Sequence, residues 1–287
     1  MLITKKKIIQ DLKALGIQEG DLLFPSVDLF QTGYFNRSAK QTLIDWVEIF
    51  DTLLGPTGTF ILPSYSPTFF RFNKDSKIVF TKSSKFSSGS LSRAFFEHSQ
   101  IIRSRHPTQS CIGRGPLAEE ILNDHGPEST SYFPYGEIIK LKGKNLMIGT
   151  HHSQSPMSFH YAQEVLGHTQ SHPFAKLFQT YYYDKGFLKL FTRNDYGGCT
   201  AGVPKTLDLH IRGNACKLGP VGNAEAAIFD TEKSFNILKK VLINQPSLIR
   251  CDNKLCISCY GRYKYNGFGV IPFYIRKAAN LLKKIIK

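Results

Sequence analysis

Short apolar runs alternate with amphipathic segments along this chain, and that alternation restricts it to an α/β architecture. Lys6 to Leu15 has helical periodicity and stops at Gly16, and Asp21-Leu-Leu-Phe-Pro25 then reads as a buried strand. Ala39 to Leu54 places Leu43, Val47, Phe50 and Leu54 on one helical face, and Gly55-Pro-Thr-Gly58 ends it. Thr59-Phe-Ile-Leu-Pro63 is a second strand. Residues 64–90 are rich in Ser, Phe, Lys and Pro and read as a long loop, a length that is often functional. Helices are expected from Leu91 to Phe96 and from Gly115 to Asn123. A strand is expected over Asn145–Gly149 with a helix after it, and β structure over 178–192 and 251–260. With 287 residues the chain buries a large core. The expected organisation is one α/β domain over 1–270, then a basic amphipathic helix over 271–287.

The formal net charge of +15 points to an anionic partner. No nucleic-acid-binding motif accompanies it, so nucleic acid is not expected. No apolar run approaches the ~20 residues of a membrane span. The start, Met-Leu-Ile-Thr-Lys-Lys-Lys, is basic but lacks the apolar core of a signal peptide, and reads as the start of a cytoplasmic protein. The tail carries Arg276, Lys277, Lys283, Lys284 and Lys287, with Ile275, Ala278, Ala279, Leu282 and Ile286 on one face. That pattern fits either a helix docked on the domain or a peripheral membrane contact.

Six cysteines stand at positions 111, 199, 216, 251, 256 and 259, and are expected to be reduced and structural. Cys251, Cys256 and Cys259 have a C-x4-C-x2-C spacing, but no fourth cysteine follows, and a zinc site would need a ligand from elsewhere. Leu255-Cys-Ile-Ser-Cys-Tyr260 alternates like a strand, so no metal is expected here.

The chemistry concentrates in residues 149–168, which hold four of the nine histidines. Glu164 lies four residues after His160, on one face of a helix, where a carboxylate can fix the tautomer of an imidazole acting as general base. A metal reading competes, with His160, Glu164 and His168 as ligands and His151 and His152 nearby. Gly167 interrupts the required second turn, however, and the H-E-x-x-H arrangement is absent. Two further constellations suit a ligand. Arg103-Ser-Arg-His-Pro-Thr-Gln-Ser110 reads either as a site offering Arg103, Ser104, Arg105 and His106 to phosphates or as a solvated loop with a proline stop. Ser26 follows the first strand, where open α/β sheets line their ligand crevices.

In this order the pieces resemble the aminoglycoside 3-N-acetyltransferase family, from about Leu15 to Phe229. The markers are Leu15-Gly-Ile-Gln-Glu-Gly-Asp-Leu-Leu, Ser26, Leu54-Gly-Pro-Thr-Gly-Thr-Phe-Ile-Leu-Pro63 and Gly89-Ser-Leu. Arg103-Ser-Arg-His-Pro, Gly115, Ala118, Gly149, His160-Tyr-Ala and Gly219-Pro-Val-Gly-Asn-Ala224 complete the series. The resemblance implies a mixed sheet layered with helices, distinct from the common acetyltransferase fold. It also implies transfer of an acyl group from an acyl-coenzyme A, such as acetyl-CoA, to a sugar amine. By the same resemblance His160 is the general base, and Ser26, Arg103, Ser104, Arg105 and His106 lie against coenzyme A. Two positions depart from the family. Its acidic partner three residues after the histidine is Gln163 here, with Glu164 adjacent. Its Asn-Thr before the histidine is replaced, leaving Ser158 as the hydroxyl nearest the developing oxyanion.

Aminoglycosides are polycations and call for carboxylates in their site. A basic chain fits an anionic acceptor better, such as a nucleotide-linked amino sugar used for surface polysaccharide, and the tail would then hold the enzyme near a membrane. An aminoglycoside is the alternative acceptor. A zinc-dependent hydrolase and a non-catalytic binding module are the readings from other classes, and a homo-oligomer is compatible with all of them.

Overall fold

The first two helices start and stop on residues suited to cap them. Helix α1 (Lys5–Leu15) begins at Thr4, whose hydroxyl accepts the Lys7 N–H, and ends at Gly16 with φ of 114°, a left-handed conformation that glycine adopts without strain. After β1 (Leu22–Val27) comes α2 (Ala39–Leu54), capped by the Ser38 hydroxyl. There follow β2 (Thr59–Pro63), β3 (Phe69–Phe70), β4 (Val79–Phe80), α3 (Ser90–His98), β5 (Ile102–Arg103), β6 (Cys111–Arg114), α4 (Ala118–Leu122), α5 (Phe133–Lys140), β7 (Lys144–Ile148) and α6 (Ser158–Val165). The remainder is β8 (Phe178–Asp184), β9 (Phe187–Thr192), α7 (Leu207–Arg212), β10 (Cys216–Val221), β11 (Ala224–Asp230), α8 (Thr231–Asn244), α9 (Ile257–Tyr260), α10 (Tyr263–Asn266) and α11 (Val270–Ile285). This is a computed structural model that describes residues 3–285 apart from 35, 37, 74–77, 86–87, 99 and 151–154.

The main sheet has seven strands in the order β10-β11-β7-β1-β2-β6-β5. Its centre, β7-β1-β2, is parallel, with Ser26 opposite Met147 and Leu22 opposite Thr59. The flanking pairs are antiparallel, which makes the sheet mixed. A second, smaller sheet is built on β8, which pairs with β9 along its length and with the short strands β3 and β4.

Successive side chains of β1 point to opposite faces of the sheet. Leu23 enters a core with Ile8 and Leu12 of α1, Trp46 and Phe50 of α2, and Phe95 of α3. Leu22 and Phe24 enter another with Ile121 of α4 and Tyr135 and Ile138 of α5. Helices α6 and α8 share a third through Phe159, Ala162, Leu238 and Leu242. Burial of each such large side chain contributes about 1.5–3 kcal/mol. The α/β class thus follows from the alternation in sequence, and the mixed sheet is the one that the family resemblance implies.

Three expectations change. The 64–90 loop contributes β3, β4 and the start of α3, because Phe69 and Phe80 are drawn under β8 and buried. The helix expected from Gly115 is shorter, Ala118–Leu122. The 251–260 segment is not a strand but a turn leading into α9, with Cys256 at its N-cap. Helix α11 docks through the buried Phe273, the Tyr274 hydroxyl donating to Gly261 O (3.0 Å) and Lys277, while Ile275, Leu281 and Leu282 stay exposed. Ile286 and Lys287 of the expected tail lie outside the described residues. Among the described residues no helix is long and apolar enough to cross a membrane.

Candidate active site

The three parallel strands end on one edge of the sheet, at Val27, Pro63 and Ile148, and in open α/β sheets such an edge forms the ligand crevice. Asn145, near the start of β7, ties the sheet to the helix carrying His160. Its Nδ2 donates to Phe24 O (2.8 Å), and its Oδ1 accepts the Met157 N–H (2.9 Å) at the start of α6.

His160 is half-buried, and its ring stacks on Tyr132 with centroids 5.1 Å apart and planes 19° from parallel. Its Nδ1 lies 3.1 Å from Gln163 Oε1. The amide oxygen only accepts, so Nδ1 carries the hydrogen and the lone pair sits on Nε2. Gln163 is itself held, donating from Nε2 to the Tyr265 hydroxyl. Tyr132 is fixed at both ends, its N–H donating to Glu164 Oε2 (3.0 Å) and its hydroxyl accepting the Gly197 N–H (3.1 Å). Gly197 lies against the imidazole so closely that a Cβ there would stand 2.3 Å from Nδ1. Burial, more than any neighbouring charge, pushes His160 down to about 4, so the ring is neutral at pH 7 and ready to accept a proton.

The partner of His160 is therefore Gln163. The structure turns Glu164 away to the Tyr132 backbone and Thr130, and burial pushes its carboxyl up to about 7. Ser158 is not brought to the ring either. Two residues along a helix is about 200° of rotation, and its hydroxyl meets Ser234 (2.8 Å) on α8, next to His210. An aromatic series runs from His160 through Tyr132 and Tyr135 (5.4 Å) to Phe24 of β1 (5.0 Å), and Tyr65 joins it through the Tyr135 hydroxyl (2.6 Å). Ser26 follows Leu22 and Phe24 on that same face of β1 and is half-buried at the strand end.

The basic loop departs most from expectation. Arg103 is turned inward: its guanidinium donates to the Ser64 carbonyl (3.0 Å), to the Lys82 and Ser84 carbonyls (3.1 and 2.6 Å) and to the Ser66 and Ser110 hydroxyls (both 3.2 Å). Ser104 is buried between the Cys111 N–H and His125 Nδ1 (2.9 and 3.0 Å). His106 accepts the Thr108 and Gln109 N–H groups at Nδ1 (3.3 and 3.0 Å), and burial holds its ring well below the ordinary histidine range. These three are buried and shape a turn, with the Arg103 guanidinium committed to carbonyls and hydroxyls of the chain around it. Only Arg105 of the four presents its side chain at the surface, beside Gly126, lining a cavity of about 260 Å³ with Lys82, Pro127 and Tyr182.

Tyr132, Asn145, Gly197 and Tyr265 escape a sequence reading. They come from four separate segments, and nothing in their local patterns joins them to His160. Nor are His160, Glu164 and His168 brought together as a ligand set, because α6 stops at Val165 and His168 lies beyond the turn at Gly167. His151 and His152 lie outside the described residues. The one group of three or more His, Cys, Asp or Glu side chains that converges among the described residues is Cys199, Cys251, Cys256 and Cys259. The fourth sulfur missing from the C-x4-C-x2-C triplet is supplied from upstream, and with it the ground for expecting no metal there is lost.

Comparison with known proteins gives a consistent relationship. The family model for aminoglycoside 3-N-acetyltransferase matches residues 28–243. An aminoglycoside N(3)-acetyltransferase III from Salmonella sp is 28% identical over 178 residues, covering 56% of this chain and 60% of the relative. The chain thus spans about 60% of the length of such curated relatives. Among solved structures, aminoglycoside acetyltransferase AAC(3)-IVa has a TM-score of 0.71 at 21% identity over 92% of this chain and 98% of its own. The YokD protein from Bacillus subtilis also has a TM-score of 0.71, at 20% identity over 86% of this chain and 96% of its own. At these identities the structures show a shared fold.

Proposed function

The chain belongs to the aminoglycoside 3-N-acetyltransferase family, and from that premise we propose that it moves an acetyl group from acetyl-coenzyme A to an amine of an amino sugar, with His160 as general base. The observation that carries this reading is the neutral imidazole whose Nδ1–H is bound by Gln163, which leaves Nε2 as the basic atom. Nε2 takes the amine proton as nitrogen bonds to the thioester carbon, then gives it to the departing thiolate as the carbon–sulfur bond breaks. An imidazole of such low proton affinity releases that proton readily to a thiolate, whose ordinary pKa is about 8.5. The amide of Gln163 sets the tautomer without holding the imidazolium as a carboxylate would. Of the residues expected beside coenzyme A, Ser26 and Arg105 remain accessible to it and fit that role.

For the acceptor, we favour an aminoglycoside-type amine. Structural neighbours bind a gentamicin, sisomicin and apramycin. A second reading, a nucleotide-linked amino sugar, is favoured by the net charge of +15 and by the use of both nearby acids in internal bonds, Glu164 to Tyr132 and Asp195 to Ser131. In that reading the basic α11 would hold the enzyme near an anionic membrane.

The test follows free thiol released from acetyl-coenzyme A with a panel of aminoglycosides and nucleotide-linked amino sugars. Turnover with gentamicin-type amines is expected, and turnover confined to nucleotide-linked sugars would select the second reading. His160→Ala is expected to lower kcat by about 10²–10⁴-fold, and unchanged turnover would remove His160 from the chemistry.

A further inference from the structure

Acyl transfer gives no use to the cysteine cluster. Cys199 comes from the segment between β9 and α7, Cys251 from the chain after α8, Cys256 from the N-cap of α9 and Cys259 from within it. All four are free thiols, and their sulfurs lie within 4.8 Å of one another. Cys251 and Cys259 are buried and the other two partly exposed. The surrounding backbone points donors at sulfur: the Cys251 N–H donates to Cys259 Sγ (3.5 Å) and the Ala201 N–H to Cys199. Such bonds stabilise sulfur as a thiolate ligand.

A metal–sulfur bond of about 2.3 Å in a tetrahedron separates the sulfurs by about 3.8 Å, inside the observed envelope. A multi-iron cluster would push its ligands further apart by inserting iron and sulfide between them. With four thiolates and no place for water, the donor set has the form of a closed structural zinc site. We propose that Cys199, Cys251, Cys256 and Cys259 bind one Zn²⁺, which joins the segment covering His160 to the C-terminal part of the chain.

The placement gives the metal a purpose. Cys199 stands two residues after Gly197, which packs on the His160 ring. Cys259 stands three residues before Arg262, which donates to the Tyr196 and Gly197 carbonyls (2.7 and 2.5 Å) and to His168 O (3.0 Å). The ion and the guanidinium thus clamp the same two segments side by side. The zinc holds the wall of the site and takes no part in proton transfer.

The experiment begins with full-length protein grown with zinc and purified without chelator. Elemental analysis is expected to give about one zinc per chain. Titration with a mercurial thiol reagent should release that zinc as the thiols are consumed. In the wild-type protein, alkylation followed by peptide mass mapping should find these four cysteines protected until a chelator is added, with Cys111 and Cys216 indifferent to the chelator. Cys199→Ser and Cys256→Ser should lose the bound zinc while Cys216→Ser keeps it. Because alkylation and metal release use the wild-type chain, failure of a variant to fold leaves the decision intact. Protein without zinc, iron in its place, disulfides among the four cysteines, or zinc retained by both serine variants would overturn the proposal. Acetyl transfer is a separate readout, so a metal-free active enzyme would remove the zinc site and leave the proposed function standing.

Discussion

Replacing Gln163 by glutamate exchanges the neutral partner of His160 for a charged one with almost no change of shape. The oxygen that faces Nδ1 at 3.1 Å stays in place, and the Tyr265 hydroxyl can turn to donate to the new carboxylate. A carboxylate at that distance raises an imidazole by about 1–3 pH units. Starting from about 4, His160 would then titrate between about 5 and 7. The acid limb of kcat/KM reports the base of the free enzyme. In the wild type this limb should lie near 4, so any slope between about pH 6 and 8 belongs to the substrate amine and is common to both enzymes. In Gln163→Glu it should move into the measurable range. With a midpoint of about 6, only about a tenth of the rings are neutral at pH 5, so kcat/KM relative to the wild type should fall about tenfold between pH 8 and pH 5. Acetyl transfer followed by thiol release across that range is the assay, with wild type run in the same buffers. An acid limb that does not move, or moves to lower pH, would refute the placement of Gln163 on the catalytic ring.

Three further outcomes follow from the same geometry. Gly197→Ala puts a methyl 2.3 Å from His160 Nδ1 and 2.4 Å from the Tyr132 hydroxyl, so it should lower kcat by about tenfold or more, as misplacement of a catalytic group does, with little change in circular dichroism. Arg103→Met leaves several buried carbonyls and hydroxyls without a donor; it should cost about 3 kcal/mol or more, seen as a lower urea midpoint, and a raised KM for acetyl-coenzyme A at unchanged stability would contradict the inward placement. Burial holds His125 near 3 and His160, His168 and His172 near 4, against 6.5 when unfolded. Below about 6.5 the unfolded chain takes up protons that the folded one refuses, so stability should fall as pH drops from 7 to 4, by up to about 3 kcal/mol for a ring such as His160; this is read as a falling Tm, and a flat Tm over that interval would contradict it.

The fold was largely legible because its signals are local. The face of α2 and the apolar runs of β1, β2 and β7 are each written within a few adjacent residues. His160 and Gln163 were legible for the same reason, one helical turn apart. Residues that act through distant partners were not. Arg103 looks like a phosphate binder until the carbonyls of 64, 82 and 84 are seen around it. Ser158 looks poised beside His160 until the rotation of the helix carries it to Ser234. The cysteine triplet looks incomplete because its fourth member is separated from it by α7, β10, β11 and α8. In each case the sequence supplies the chemistry of the side chain, and tertiary packing decides what it meets.

The inward turn of Arg103 also has a mechanical consequence. One planar group grips the chain after β2, the chain after β4 and the β5–β6 turn, and none of these grips can be released alone without stranding the others. The three segments should therefore behave as one cooperative unit, whose amides exchange with solvent at a shared opening energy rather than as three independently fraying loops.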